Sequence, residues 1–301
     1  MPVRHDVVIV CISKHHNFLS TTLCRSYTGG PGGLPFLDES NENMIMNAHE
    51  QITAQSDPSL PLRASDHIND NKPHLLLACT GSVATIKLPN ILQALSSHPI
   101  SIRVILTHSA AEFLQGQSSE QPSISSLSAI PNVDGIYTDE DEWRHPWTRN
   151  APILHIELRR WADIFVIAPL SANSLAKMVQ GMSDELVLSV ARAWDTTGLI
   201  DVERPGLHAG IRTKKGIKPL VVAPAMNTAM WLHPVTAKQI RVLEEEWGVD
   251  VGGWVQVLRP IEKDLACGDI GGGAMREWKE IVGVVEGWLG LGSAGEVNGR
   301  G

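Results

Sequence analysis

Cysteine is scarce. The chain has four, Cys11, Cys24, Cys79 and Cys267, and no two stand in a CxxC spacing. A zinc site or dithiol motif is therefore not expected. Sparse, widely separated cysteines suit a reducing cytosol better than a disulfide-built secreted protein. Charge is also thin: Lys and Arg number 25 against 33 Asp and Glu, a formal net of −8, with only 19% of residues charged. A nucleic-acid surface needs clustered basic residues, and this balance argues against one. No apolar run approaches the ~18 residues that span a bilayer. "VVIVCI", behind Arg4, His5 and Asp6, lacks the long apolar core and small-residue cleavage site of a secretory signal. A cytoplasmic protein with no nucleic-acid or membrane partner is expected. GxxxxGK[ST] does not occur, and GxGxxG occurs only as Gly290–Gly295 at the start of the C-terminal tail, with no strand pattern before it and no helical pattern after it. The ordinary dinucleotide and P-loop fingerprints are thus missing in context.

The 43% of hydrophobic residues is ample for a core. Residues 1–72 are rich in Gly, Pro, Ser, Asn and Asp, and read as a disordered N-terminal extension with one short strand at "DVVIVCI". Residues 291–301 read as a flexible tail. Between them, over 73–290, short apolar runs alternate with helical patterns. "HLLLACT", "IRVILT", "DIFVIAP" and "KPLVVAPAM" are strands; "VATIKLPNILQALSS", "SAAEFLQ", "HIELRRWA", "SANSLAKMVQG", "DELVLSVARAW" and "PVTAKQIRVLEEEWG" are helices. Pro89 predicts a kink or early turn in the first of these helices. Apolar strands of this kind, separated by helices, indicate a doubly wound α/β domain: an open parallel sheet flanked by helices. Two loops interrupt it, 115–136, which is Ser/Pro-rich and expected to be disordered, and 196–217.

In open parallel sheets ligands bind beyond the carboxyl ends of the strands. The segments there are "TGSVA" (80–84), "THS" (107–109), "APLSANSL" (168–175) and "APAMNTAMW" (223–231). Each offers small or hydroxyl residues near a helix start, which can cradle a phosphate without a lysine motif. Each could also be no more than a helix cap. His155 is open to a structural or a catalytic role. Arg159 and Arg160, a turn later, suit either solvent or an anionic group. Asn227 could orient a carboxylate or amide, or serve as an N-cap; Met226 and Met230 read by default as core.

Taken in order, "TGSVATIK", "YTDEDEW", "HIELRRWADIFVIAPLSANSLAK", "RAWD", "PAMNTAMW" and "LACGDIGGGAM" resemble the eukaryotic type of the flavin-dependent cysteine decarboxylase family, over about residues 74–290. The resemblance implies a Rossmann-like flavoprotein fold, FMN as cofactor and no metal. It implies decarboxylation of 4'-phospho-N-pantothenoylcysteine to 4'-phosphopantetheine in coenzyme A biosynthesis, in a homotrimer with active sites between subunits. The FMN-binding positions it implies are Gly81, Ser82, Val83, Thr107, His108, Ser109, Ala172, Asn173, Ser174, Leu175 and Met226. His155 becomes a base or an orienter of the substrate carboxylate, assisted by Arg160. Asn227 holds the carboxylate and amide, and Cys267 is a proton donor. Met230, Asp264, Ala266 and Met275 contact substrate, the last three flanking Cys267 in a glycine-rich flap free to open and close. Gly272 departs from the family pattern and is expected to loosen that flap. Two other readings follow from the resemblance: an inhibitory subunit of a type 1-like phosphatase of the halotolerance kind, and a decarboxylase of peptides ending in cysteine.

Overall fold

The computed structural model describes residues 11–15, 18–22, 61–144, 146–201, 204, 212–264 and 270–292, with backbone alone for 11–22, 263, 264 and 270. Met1–Pro58 and Ser59–Gly301 are separate units. In the first, β1 (Cys11–His15) pairs antiparallel with β2 (Phe18–Thr22). Most of the strand expected at "DVVIVCI" lies outside the described residues.

The second unit is built on six strands: β3 (His74–Cys79), β4 (Ser101–Leu106), β7 (Val133–Tyr137), β8 (Ile164–Leu170), β9 (Leu220–Pro224) and β10 (Val255–Val257). Every pairing is parallel, in the order β7-β4-β3-β8-β9-β10. Counted along the chain that is 3-2-1-4-5-6, the doubly wound order whose reversal point lies between the first and fourth strands, here β3 and β8.

The continuous apolar runs are explained by burial on both faces. Leu75, Leu77, Ile102, Val104, Val166 and Val221 point to one side, against α1 (Leu88–Leu95) and α7 (Trp278–Leu289). Leu76, Ala78, Ile105, Phe165, Ile167 and Val222 point to the other. They pack on α2 (Leu154–Trp161), α3 (Ala172–Val179) and α4 (Leu186–Ala193), with Ile240 of α6 (Pro234–Arg241). Each fully buried Leu, Ile or Val stabilises by about 1.5–3 kcal/mol, and alternate side chains of one strand serve opposite layers. Pro89 sits in the first turn of α1, after a 3-10 turn at Val83–Lys87; its missing N–H is one that a helix start leaves unpaired anyway.

Two expectations change. Segment 115–136 is ordered: β5 (Gln115–Ser118) and β6 (Gln121–Ser123) form a hairpin, a single helical turn spans Ile124–Leu127, and β7 becomes the sheet's edge strand. Asn132 (φ 72°) enters β7 and donates its carboxamide to the carbonyls of Ser96 and His98 at 2.9 and 2.8 Å, completing the end of α1. The domain also begins before residue 73. Ala64 N–H donates to Glu157 Oε2 at 2.7 Å, and Asp70 meets His74 Nε2 at 2.7 Å. A polar segment with no periodicity is held by hydrogen bonds that composition does not reveal.

At the amino edge of the sheet, Asp201 bridges Arg159 (2.9 Å) and Lys218 (3.0 Å). All three are buried. Burial lowers the Lys218 pKa, and Asp201 opposes that. The triad fastens the start of the 196–217 insertion to α2 and to the approach to β9.

Candidate active site

Four turns stand in a row at the carboxyl ends of β4, β3, β8 and β9, and three of them are fastened to one another. Ser171 N–H donates to Thr80 Oγ1 (2.7 Å), and Ala225 N–H donates to the Leu170 carbonyl (2.9 Å). The chain before Ser109 is joined to β3 where Thr107 N–H donates to the Cys79 carbonyl (3.2 Å). Each turn ends on a side-chain cap: Ser82 for Ala84 N–H, Thr107 for Ala110, Ser171 for Ser174 and Asn227 for Met230. A capped start still leaves first-turn N–H groups without helical partners, and these are the anion-seeking donors of a phosphate cradle. Gly81 is required by close approach, because a Cβ there would stand 2.6 Å from Ser109 Cβ.

The expected cofactor positions divide by burial. Gly81, Ser82 and Ala172 are half-buried, while Val83, His108, Ser109 and Asn173 are exposed at the edge. Thr107, Ser174, Leu175 and Met226 are buried. Leu175 is a core side chain of the layer that holds α2 to α4. Thr107 and Ser174 shape the turns from within. Beside this row a hollow of about 400 Å³ is lined by Ala172, Asn227, Met230, His233, Thr236 and Gln239.

His155 lies in the first turn of α2. Its backbone N–H donates to Glu142 Oε2 (3.1 Å), and its Nδ1 meets Glu142 Oε1 (2.7 Å). The imidazole is 25% exposed and the carboxylate side chain 7%. A carboxylate only accepts, so Nδ1 carries a hydrogen, and in the neutral ring Nε2 is the nitrogen with the lone pair. Nε2 has no hydrogen-bond partner among the described residues. Arg160 is not brought to His155 within this chain. It stands at the far end of α2, pairs with Glu157 (2.9 Å), and its carbonyl accepts from Lys218 Nζ before β9. Arg159 is spent on Asp201.

Asn227 caps α5 (Thr228–Leu232) through Oδ1, which accepts from Met230 N–H at 2.8 Å and leaves the carboxamide N–H groups to donate elsewhere. Met230 is exposed, at 51%. Over this turn lies a hairpin of β11 (Ile261–Asp264) and β12 (Ile270–Ala274). Its glycines serve contact more than freedom. Met226 N–H donates to the Gly273 carbonyl (3.0 Å), and a Cβ on Gly273 would stand 2.4 Å from the Met226 carbonyl oxygen. A Cβ on Gly272 would stand 3.0 Å from Trp231 Cδ1. The expected loosening at Gly272 is thus replaced by close packing on Trp231. Met275, expected at the substrate, is buried in the core layer of α1 and α7. Asp264 ends β11; Ala266 and Cys267 lie outside the described residues.

Glu142 is the residue that sequence reading passed over. "DEDE" looks like a solvated acidic turn, yet three of its four acids have tasks of their own, and only Glu140 is exposed. Asp141 accepts from Thr138 N–H (2.7 Å), Asp139 accepts from Leu186 N–H at the start of α4 (2.6 Å), and Glu142 holds His155. The signal available was the run of acids directly after a strand. No group of three or more His, Cys, Asp or Glu placed to hold a metal occurs among the described residues. None of their helices is long and apolar enough to cross a membrane.

The sheet order, with its row of capped turns, defines a Rossmann-like α/β protein. The chain belongs to the Flavoprotein family, whose model matches residues 63–290. Among relatives, it is 42% identical over 207 residues to the phosphopantothenoylcysteine decarboxylase of Arabidopsis thaliana, covering 68% of this chain and 80% of that one. It is 38% identical to coenzyme A biosynthesis protein 3 of Saccharomyces cerevisiae and 37% identical to a probable thymidylate synthase of Schizosaccharomyces pombe. The matches cover 82% and 74% of this chain, but only 39% and 30% of those much longer proteins. Among solved structures it is similar to a phosphopantothenoylcysteine decarboxylase variant complexed with pantothenoylaminoethenethiol, with a TM-score of 0.55, 39% identity, and 71% of this chain and 97% of that one covered. It is similar also to the FMN-binding protein AtHal3, with a TM-score of 0.53, 40% identity, and coverage of 71% and 95%. The family is one of flavin-binding proteins, and the Gly81–Ser109 contact and the free first-turn donors fit the phosphate of a flavin nucleotide.

Proposed function

We propose that the protein decarboxylates 4'-phospho-N-pantothenoylcysteine to 4'-phosphopantetheine, a step of coenzyme A biosynthesis. The observation that carries this reading is the Asn227 turn. It joins the phosphate-cradling turns on one side and lies under the hairpin that leads to Cys267 on the other. The decarboxylase relatives and the structure complexed with pantothenoylaminoethenethiol support the substrate class.

A carboxylate on the carbon bearing an ordinary amide cannot leave as CO2 without an electron sink. FMN, when bound, supplies the two-electron oxidation of the substrate thiol that creates the sink, and returns the electrons afterwards. The chain supplies position and protons. The Asn227 carboxamide, its Oδ1 spent on Met230, donates to the substrate carboxylate. His155 Nε2 accepts a proton as the base and, once it carries that proton, can donate to and orient a carboxylate. Cys267 returns a proton after CO2 has left, a role open to a protonated thiol. The active unit is a homotrimer with sites shared between subunits, which the exposed Met230, Leu232 and Val235 beside Asn227 support.

The flavin-loaded protein should release CO2 and form 4'-phosphopantetheine from this substrate, and should leave a peptide ending in cysteine untouched. Turnover of the peptide alone would move the assignment to that substrate, and turnover of neither would end it. Sedimentation at the mass of one chain would remove the trimer.

A further inference from the structure

The short turn after β7 places one carboxylate under two groups of the same residue. Glu142 Oε1 meets His155 Nδ1 at 2.7 Å, and Oε2 accepts the His155 backbone N–H at 3.1 Å. The side chain is nearly buried, at 7% exposure. The second contact is a helix cap: His155 is in the first turn of α2, and Ile153, which precedes the helix, has no side chain that can cap it. One anion therefore fixes both the start of the helix and the rotation of the ring it carries. Because both oxygens only accept, the ring hydrogen is held on Nδ1, and Nε2 is the nitrogen left for chemistry.

We propose that Glu142 is a positioning residue for the decarboxylation: it locks His155 in the Nδ1–H tautomer and so presents a bare Nε2 to the substrate. This rests on the reading of His155 as an active-site group. Glu142 need not touch substrate and need not change protonation state. Its work is to keep the lone pair in place through turnover, as the buried aspartate does for the histidine of a serine-protease triad.

Glu142→Gln separates this role from simple support. A carboxamide has one accepting atom. With its oxygen taken by the His155 N–H, its NH2 faces Nδ1 and donates to it, which moves the ring hydrogen to Nε2. The flavin-loaded protein with 15N-labelled histidine, observed by proton–nitrogen correlation NMR, should show His155 with Nδ1–H in the wild type and Nε2–H in Glu142→Gln. kcat should fall by about 10²–10⁴-fold with KM little changed. Glu142→Asp, still a carboxylate, should retain the Nδ1–H form and recover much of kcat.

Asp139→Asn is the control. It changes an acid of the same turn but contacts Leu186 N–H instead of His155, so it should lower the melting temperature and leave tautomer and kcat as they were. Flavin absorbance and a melting curve for each variant establish that it is folded. The proposal is overturned if Glu142→Gln keeps the Nδ1–H form and wild-type kcat. It is equally overturned if Asp139→Asn loses as much kcat as Glu142→Gln, since the effect would then be general loosening of the turn. Absence of decarboxylation by the wild type would instead remove the assigned substrate, while the spectra would still decide whether Glu142 sets the ring.

Discussion

Gly81 shows how narrow the requirement at a single residue is. No unusual backbone angle makes it glycine; the reason is Ser109, whose Cβ would lie 2.6 Å from an added methyl. Gly81→Ala should therefore push the β3 and β4 turns apart and lower flavin content, read from visible absorbance after purification. Adding Ser109→Gly should restore part of it, since the clash needs both side chains. Cys79 lies just before this turn, fully buried, with its thiol donating to the Ala168 carbonyl at 3.1 Å. Burial pushes its pKa well above the usual thiol range, and the reactive form is the thiolate. Peptide mapping after iodoacetamide treatment should find Cys79 unmodified in the native protein and alkylated in denaturant. The four cysteines look alike in composition, and nothing in a strand-like "LLLAC" reveals whether its thiol is buried or waits at the edge of a site. Cys267 could be given a chemical role only through the motif around it. On that role, Cys267→Ser should still release CO2 yet fail to form the reduced product, and normal product formation by that variant would withdraw it.

Among the elements, the acidic turn at Asp139–Glu142 and the loop at Asp195–Asp201 share one device: a carboxylate that gathers backbone N–H groups. Asp195 accepts from the N–H groups of Thr197, Gly198, Ile200 and Asp201 and from the Thr197 hydroxyl, at 2.7–3.0 Å. Burial would raise its pKa, but these bonds outweigh burial and hold it well below the usual carboxylate range. A depressed folded pKa means stability that is full above the unfolded value and lost as pH falls through the folded one. Asp195→Ala should thus lower the melting temperature at neutral pH, by a destabilisation of about 1–3 kcal/mol. The difference from wild type should shrink in strong acid, as calorimetry across pH would show. These caps also mark the limit of pattern reading. β3, β4, β8 and β9 are legible because strands buried on both faces are apolar almost throughout, His74, Ser101 and Arg103 being the buried exceptions. β7 contains Asp134 and Gly135 and lies at the edge, so its sequence carries little of that signal. The hairpin of β11 and β12 is held by contacts to Met226, Thr228 and Trp231 that are distant in sequence.

Across the whole molecule, the sheet order collects residues from Gly81 to Gly273 along one edge, while the opposite edge is fastened by ions. Asp201→Asn would leave Arg159 and Lys218 buried without their shared anion. The cost should be about 3–5 kcal/mol, read as an earlier midpoint in denaturant with flavin content retained until unfolding. All the core side chains of the described residues lie between Leu75 and Leu289, and the family match begins at residue 63. The alternation of apolar runs with helical patterns was enough to define a doubly wound α/β domain, and the order of its motifs was enough to point to the family. Both are written locally, in residues that must be apolar on both faces or small at a strand end. Which glycine must lack a side chain, which acid holds the histidine and which arginine goes to the far edge depend on atoms brought together from separate stretches of chain. Those contacts exist only once the sheet has closed, because no local pattern encodes the distance between them.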